Sequence, residues 1–314
     1  MFLYILRRLI FAIPTLLLVA VAVFTLLRSI PGDPALLMLG DSASDTELTE
    51  LRRHLGLDLI LPLQFGKWLI QVLSGDLGYS ITNGEPVLAL IVERFQVTFV
   101  IVVTAVSLAI CISIPAGLIA TWKQNKGLDI AIVVIATLLL SVPAFWLGLI
   151  LLLIFGMQLA WLPVVGYVAL SDDFYQGLRY VLLPIITLAM VETGVLIRMV
   201  RSSSIEVLRL EYVAHARAKG AGELRVLLLH VLPNSFAPVL TMIGLILGHL
   251  LGGAAVLETV FTLPGLGRLL VDAIFSRDYP VIQGVLIFTA SIYVCINLVV
   301  DFCYPIFDPK VRLE

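Results

Sequence analysis

Six stretches of this chain carry little charge and are long enough to cross a hydrocarbon layer, and the polar positions collect between them. Residues 9–27 form the first. At about 1.5 Å per residue they reach about 30 Å, the thickness of a bilayer's hydrocarbon core. Arg7-Arg8 ahead of this run and the small residues Ala20-Val21-Ala22 inside it imitate a secretory signal, but such a signal holds only about 7–15 apolar residues, so the run reads as a span. The pattern predicts further spans over residues 97–122, 130–156, 181–200, 236–257 and 281–304. Pro115, Pro143 and Pro184 are expected to kink three of them. The fold class that follows is an all-α membrane protein with six transmembrane helices and both ends on one side.

Residues 29–95 alone have the mixed polar and apolar character of a water-exposed fold. Ser44-Asp45-Thr46-Glu47 reads as a capping box that opens a short helix carrying Leu48, Leu51 and Leu55, with Gly56 closing it. A second amphipathic helix is expected over residues 64–74, with Phe65, Trp68, Leu69 and Val72 on one face. The chain thus divides into an N-terminal end and first span (1–28), a helical insert (29–95) and a core of five spans (96–314). The insert is too small for much of an enzyme.

Between the fourth and fifth spans lies a polar stretch, Glu211-Tyr212-Val213-Ala214-His215-Ala216-Arg217-Ala218-Lys219-Gly220, within a loop over residues 201–234. Nothing in residues 204–219 breaks a helix, and Gly220 is suited to end one because glycine enters the left-handed conformation freely. Glu211 near the start and Arg217 and Lys219 at the end suit the helix dipole. Ala214, Ala216 and Ala218 leave room for another surface to approach. These features fit a solvated loop helix as well as a docking helix.

Composition agrees with the pattern: 60% of the 314 residues are hydrophobic and 13% charged, against roughly a quarter charged in soluble domains. Mean hydropathy is +1.07. The net charge of −2 matters less than where the charges sit. Arg7, Arg8, Lys123, Lys126, Arg198, Arg201, Arg209, Arg217, Lys219, Arg225, Lys310 and Arg312 fall on one face, and only Arg179, Arg268 and Arg277 on the short loops of the other. By the positive-inside rule the first face is cytoplasmic, which puts residues 211–220 inside the cell. Cys111, Cys295 and Cys303 fall in apolar runs without paired spacing and are expected as buried apolar side chains.

Several chemistries lack their residues. No Gly-x-x-x-x-Gly-Lys-Ser/Thr loop occurs, so the chain is not expected to cradle nucleotide phosphates in that manner. His54, His215, His230 and His249 form no His-Glu-x-x-His pair, and there is no Gly-x-Ser-x-Gly elbow.

The polar stretch, followed by His230-Val231-Leu232-Pro233-Asn234, resembles the cytoplasmic "EAA" loop of binding-protein-dependent ABC importer permeases. The likeness is closer still to the dipeptide/oligopeptide/nickel class. It extends to Ile30-Pro31-Gly32-Asp33-Pro34, Gly75-Asp76-Leu77-Gly78-Tyr79-Ser80, Pro264-Gly265-Leu266-Gly267-Arg268 and Arg277-Asp278-Tyr279-Pro280. The resemblance implies a non-catalytic permease subunit of a bacterial cytoplasmic membrane that moves short peptides, or alternatively nickel or a nickel chelate. It implies a second homologous permease subunit, two cytoplasmic ATPase subunits that bind ATP and Mg, and an extracytoplasmic solute-binding protein that meets the 29–95 insert. No cofactor, metal or nucleic acid is expected on this chain. By the same resemblance residues 211–220 are the coupling helix. Glu211 and Tyr212 open it, Ala216 and Ala218 pack closely, Arg217 and Lys219 make charge contacts, and Gly220 sets the turn. The short loop between spans three and four departs from longer-looped members. A secondary transporter is the alternative from another class, but no internal repeat of the kind such transporters use is apparent.

Glu192 in the fourth span and His249 in the fifth are ionisable groups at membrane depth, which makes them candidates for the pathway and for a mutual contact. Asn297-Leu298-Val299-Val300-Asp301 ends the sixth span in a way that resembles this class, and Asp301 is expected to have a structural role.

Overall fold

A computed structural model describes residues 2–29, 36, 44–55 and 58–307. The Ile30-Pro31-Gly32-Asp33-Pro34 motif, Gly56, Lys310 and Arg312 lie outside the described residues, as do the side chains of Leu51, His54 and Leu55. The described chain is helical: α1 (Phe2–Ser29), α2 (Asp45–Leu55), α3 (Leu61–Leu73), α4 (Val87–Trp122), α5 (Gly127–Ser141), α6 (Ala144–Leu151), α7 (Phe174–Leu208), α8 (Glu211–Ala218), α9 (Glu223–Val226), α10 (Leu232–Gly253), α11 (Ala255–Val260), α12 (Leu266–Ser276) and α13 (Tyr279–Phe307). Wide π-helical turns follow α6 over Leu152–Gln158 and α9 over Leu227–Val231.

Among the described residues, five helical stretches are long and apolar enough to cross a membrane: Leu6–Ser29, Val87–Trp122, Phe174–Leu208, Glu223–Gly252 and Tyr279–Pro305. The remaining expected span is a broken pair, Gly127–Ser141 and Ala144–Gln158, bent by 96°. Pro143 does more than kink it. A residue before proline is pushed out of the helical region, and Val142 is extended (φ −92°, ψ 123°), so the first helix ends outright.

α4 and α7 pack along their length and carry most of the core. On α7, Leu188, Glu192, Leu196, Val200, Ser203 and Val207 recur every three or four residues and are buried, meeting Ile101, Val102, Ala105 and Ala109 of α4. Small residues let the backbones close in: a Cβ on Gly194 would stand 2.6 Å from the Ala136 carbonyl of α5. α1 lies against α13 and ends in a cluster of Phe24 with Phe65 and Trp68 of α3, at ring-centroid distances of 5.4 and 5.6 Å. Arg8 and Asp301 pair across α1 and α13 at 3.1 Å, which gives Asp301 its structural role.

Several boundaries differ from expectation. α3 begins at Leu61, before the predicted residue 64, because Pro62 fits a first helical turn where no amide proton is needed. α4 begins at Val87, so the division at residues 95 and 96 falls inside a helix. The unbroken helix expected over residues 204–219 is interrupted: α7 stops at Leu208, and Leu210 is extended (φ −74°, ψ 142°) before α8 starts. That turn lets Val213 enter the core, where it is fully buried. The cysteines also differ. Cys111 and Cys295 are exposed and Cys303 is half-buried, because a side chain facing lipid tails is in surroundings as apolar as a core.

Candidate functional site

The α8 helix stands between two spans and is fixed to them from one side only. Val213 is its buried anchor, and Ala216 is half-buried. Glu211, Ala214, His215, Arg217, Ala218, Lys219 and Gly220 are exposed. Glu211, Ala214, His215 and Ala218 follow the three-and-four spacing of one helix face, so the chain presents a surface of two alanines between polar side chains that it does not itself cover. Ala216, expected as a close-packing position, is half-buried within its own chain.

Two contacts of this helix, and one beside it, hold it at its angle. The Tyr212 hydroxyl donates to the His230 carbonyl at 3.3 Å. The same carbonyl accepts the Asn234 side-chain amide at 2.7 Å. Pro233 supplies no amide proton to the helical ladder, and the chain passes this point as the wide Leu227–Val231 turn. Partial burial holds the Tyr212 phenol above its ordinary pKa range. The third contact is Arg217, whose guanidinium donates to both carboxylate oxygens of Glu223 at 2.9 and 3.1 Å.

Gly220 ends the segment at φ +86°, and a Cβ built there meets nothing within 4 Å. The requirement for glycine is therefore conformational rather than spatial. Next to α8, Arg217 and Glu223 join Thr121, Trp122, Ile205 and Leu208 around a cavity of about 260 Å³.

The cytoplasm-facing ends of the spans, in the orientation expected above, are joined by a second ion pair. Arg201 of α7 donates two hydrogen bonds to Asp129 at the start of α5, at 2.6 and 2.8 Å. The Asn125 amide adds a third at 2.9 Å. Asp129 bears one signal legible in the sequence, an acidic residue in the first turn of a helix, while its distant partner Arg201 bears none.

Glu192 and His249 are not brought together. Glu192 is 8% exposed on the packed face of α7, while His249 is exposed on α10, and no ion pair joins them. A cavity of about 640 Å³ opens between α5, α7 and α10, lined by Val133, Leu140, Val195, Arg198, Met199 and Met242 among others, with neither Glu192 nor His249 among its walls. Among the described residues no group of three His, Cys, Asp or Glu side chains could hold a metal ion.

This arrangement of long packed spans, a broken span and an exposed helix between spans is that of a multi-pass membrane protein. Residues 113–313 match the family described as binding-protein-dependent transport system inner membrane component, and residues 1–102 match the N-terminal region of such membrane components. The chain belongs to this family. It is 42% identical over 311 residues to a glutathione transport system permease protein of Salmonella paratyphi A, with 99% of each chain covered. It is 37% identical over 329 residues to a dipeptide transport system permease protein of Alkalihalophilus pseudofirmus, covering 98% of this chain and 99% of the relative. Among solved structures it is similar in fold to a chain from inward-facing conformations of the MetNI methionine ABC transporter. There the TM-score is 0.59 at 17% identity, covering 70% of this chain and 97% of the other.

Proposed function

We propose that this chain is the permease subunit of an ATP-driven importer of short peptides. It forms part of the translocation pathway and performs no catalysis of its own. The exposed α8 helix, anchored by Val213 and braced by Tyr212 and Arg217, is the observation that carries this reading. Work done elsewhere must enter the membrane bundle through a contact surface, and a short helix fixed at both ends passes on a rigid-body push. Differential contact of α8 with nucleotide-bound and nucleotide-free ATPase subunits would bias the bundle between inward- and outward-facing states.

Two cytoplasmic ATPase subunits hold the ATP and Mg, a second homologous permease completes the pathway, and an extracytoplasmic binding protein delivers cargo to the 29–95 insert. Both termini and α8 are cytoplasmic, a placement supported by the basic residues of the short loops. The names of the dipeptide and glutathione relatives favour peptide cargo over nickel.

Reconstitution of the complex in proteoliposomes tests this. Uptake of a labelled dipeptide or tripeptide is expected to need the ATPase subunits, ATP and the binding protein together. Uptake by this chain alone in response to an ion gradient would reject the proposal.

A further inference from the structure

A buried carboxylate ties residues 255–268 to the long helix α4. Glu258, on the short helix α11, is 2% exposed. Its Oε1 accepts the Thr98 hydroxyl at 2.6 Å, and its Oε2 accepts the Arg268 amide at 2.9 Å. The Thr98 hydroxyl in turn accepts the Leu266 amide at 2.9 Å. One carboxylate and one hydroxyl, from two different helices, thus satisfy amides at the start of α12 that have no partner within that helix. The positive end of the helix dipole offsets the buried negative charge. Gly265 gives the carboxylate its space, because a Cβ there would overlap it.

The turn between these anchors is strained. Thr262 has φ +53°, a left-handed conformation that costs a residue with a Cβ about 1–2 kcal/mol and is unusual for a β-branched one. On either side, Phe261 and Leu263 are 5% and 1% exposed. The Phe261 ring lies so close to α6 that a Cβ on Gly148 would stand 2.9 Å from its edge. The Leu263 amide is held by the Glu258 carbonyl at 2.8 Å. A plain connection between α10 and α13 would run over the surface. This one drives two apolar side chains into the bundle at the cost of a strained turn. Strained backbone persists where its surroundings over-determine it, and it gathers at switch regions.

We infer that residues 255–268 form a plug at the outer end of the pathway, that Glu258 is the positioning residue that latches it, and that the strain at Thr262 favours its release. The inference rests on the permease reading and its orientation. A shift of α4 against α12 breaks the Thr98–Glu258 and Thr98–Leu266 bonds together, because both share the Thr98 hydroxyl. The carboxylate oxygen and the Leu266 amide freed in this way then gain more from water than from the bundle, and the turn relaxes as the segment leaves.

The test uses the full complex in native membranes with Cys111, Cys295 and Cys303 replaced by serine. Leu263→Cys, buried when the plug is seated, reports opening through its labelling by an impermeant maleimide added from outside. Labelling is expected to be slow with Glu258 and about tenfold faster with Glu258→Ala, since hydrogen bonds to a charged group are lost. Thr98→Val is expected to fall between. Thr262→Gly removes the strain that favours release, so labelling slows and peptide uptake drops at an unchanged amount of membrane protein. A purely structural segment would instead give Thr262→Gly higher stability with unchanged uptake. That result, or equal labelling in all variants, overturns the inference. If Glu258→Ala does not accumulate, Thr98→Val and Thr262→Gly decide by themselves. ATP-driven uptake by the unsubstituted complex is measured in the same membranes. Its absence overturns the permease reading and the plug together, whereas its presence with invariant labelling overturns the plug alone.

Discussion

Arg217 and Glu223 form a two-pronged ion pair across the turn at Gly220, with both side chains about 40% exposed. Such a pair contributes only about 0.2–1 kcal/mol to stability, so its value lies in fixing the angle between α8 and α9. Glu223→Ala is expected to leave membrane levels unchanged and to lower peptide-stimulated ATP hydrolysis several-fold. The reversed pair Arg217→Glu with Glu223→Arg should restore part of the loss. Unchanged coupling in Glu223→Ala would remove the pair from the account.

Gly220 offers a cleaner separation of fold from function. Its surroundings are open, yet its φ of +86° penalises any side chain. Gly220→Ala should cost about 1 kcal/mol, and Gly220→Leu should abolish uptake while insertion stays intact. Uptake assays paired with quantification of the protein in membranes check this. Normal transport by Gly220→Leu would contradict a lever role for α8.

Asp129 and Arg201 make a different prediction because Asp129 is nearly buried, at 3% side-chain exposure against 26% for Arg201. Removing one partner leaves the other charge without compensation. Asp129→Ala is therefore expected to destabilise by about 3 kcal/mol. Replacing both, as Asp129→Leu with Arg201→Met, should recover most of that. Thermal unfolding of the detergent-purified complex reads the difference.

His249 is exposed and unpaired with Glu192, so His249→Ala should change transport less than about twofold, in keeping with a surface substitution. A large loss in initial uptake rate would show that the α10 surface takes part in the pathway.

The spans were legible because apolar runs of bilayer length leave few alternatives, and α8 was legible because its charges follow the helix dipole. What escaped depended on local backbone geometry or distant partners. The right-angled break at Val142 and Pro143 needed the extended backbone before proline, where periodicity alone suggests a bent but continuous helix. The stop at Leu208 followed from the burial of Val213, which no helix propensity encodes. Arg217 was expected to make a charge contact, and the carboxylate it meets within the chain, Glu223 six residues on, was not singled out. The part played by Glu258 went unnoticed because Thr98, which bonds it, lies 160 positions away. The Ile30–Pro34 motif has no structural counterpart among the described residues.

The most direct measurement is site-specific crosslinking between α8 and the ATPase subunit in the assembled complex. Cysteine introduced by Lys219→Cys, at an exposed position, should crosslink to that subunit in a nucleotide-dependent way, whereas Val213→Cys, at a buried one, should not. Modification of Lys219→Cys by an impermeant reagent applied outside intact cells, or no crosslink with or without nucleotide, would contradict the account.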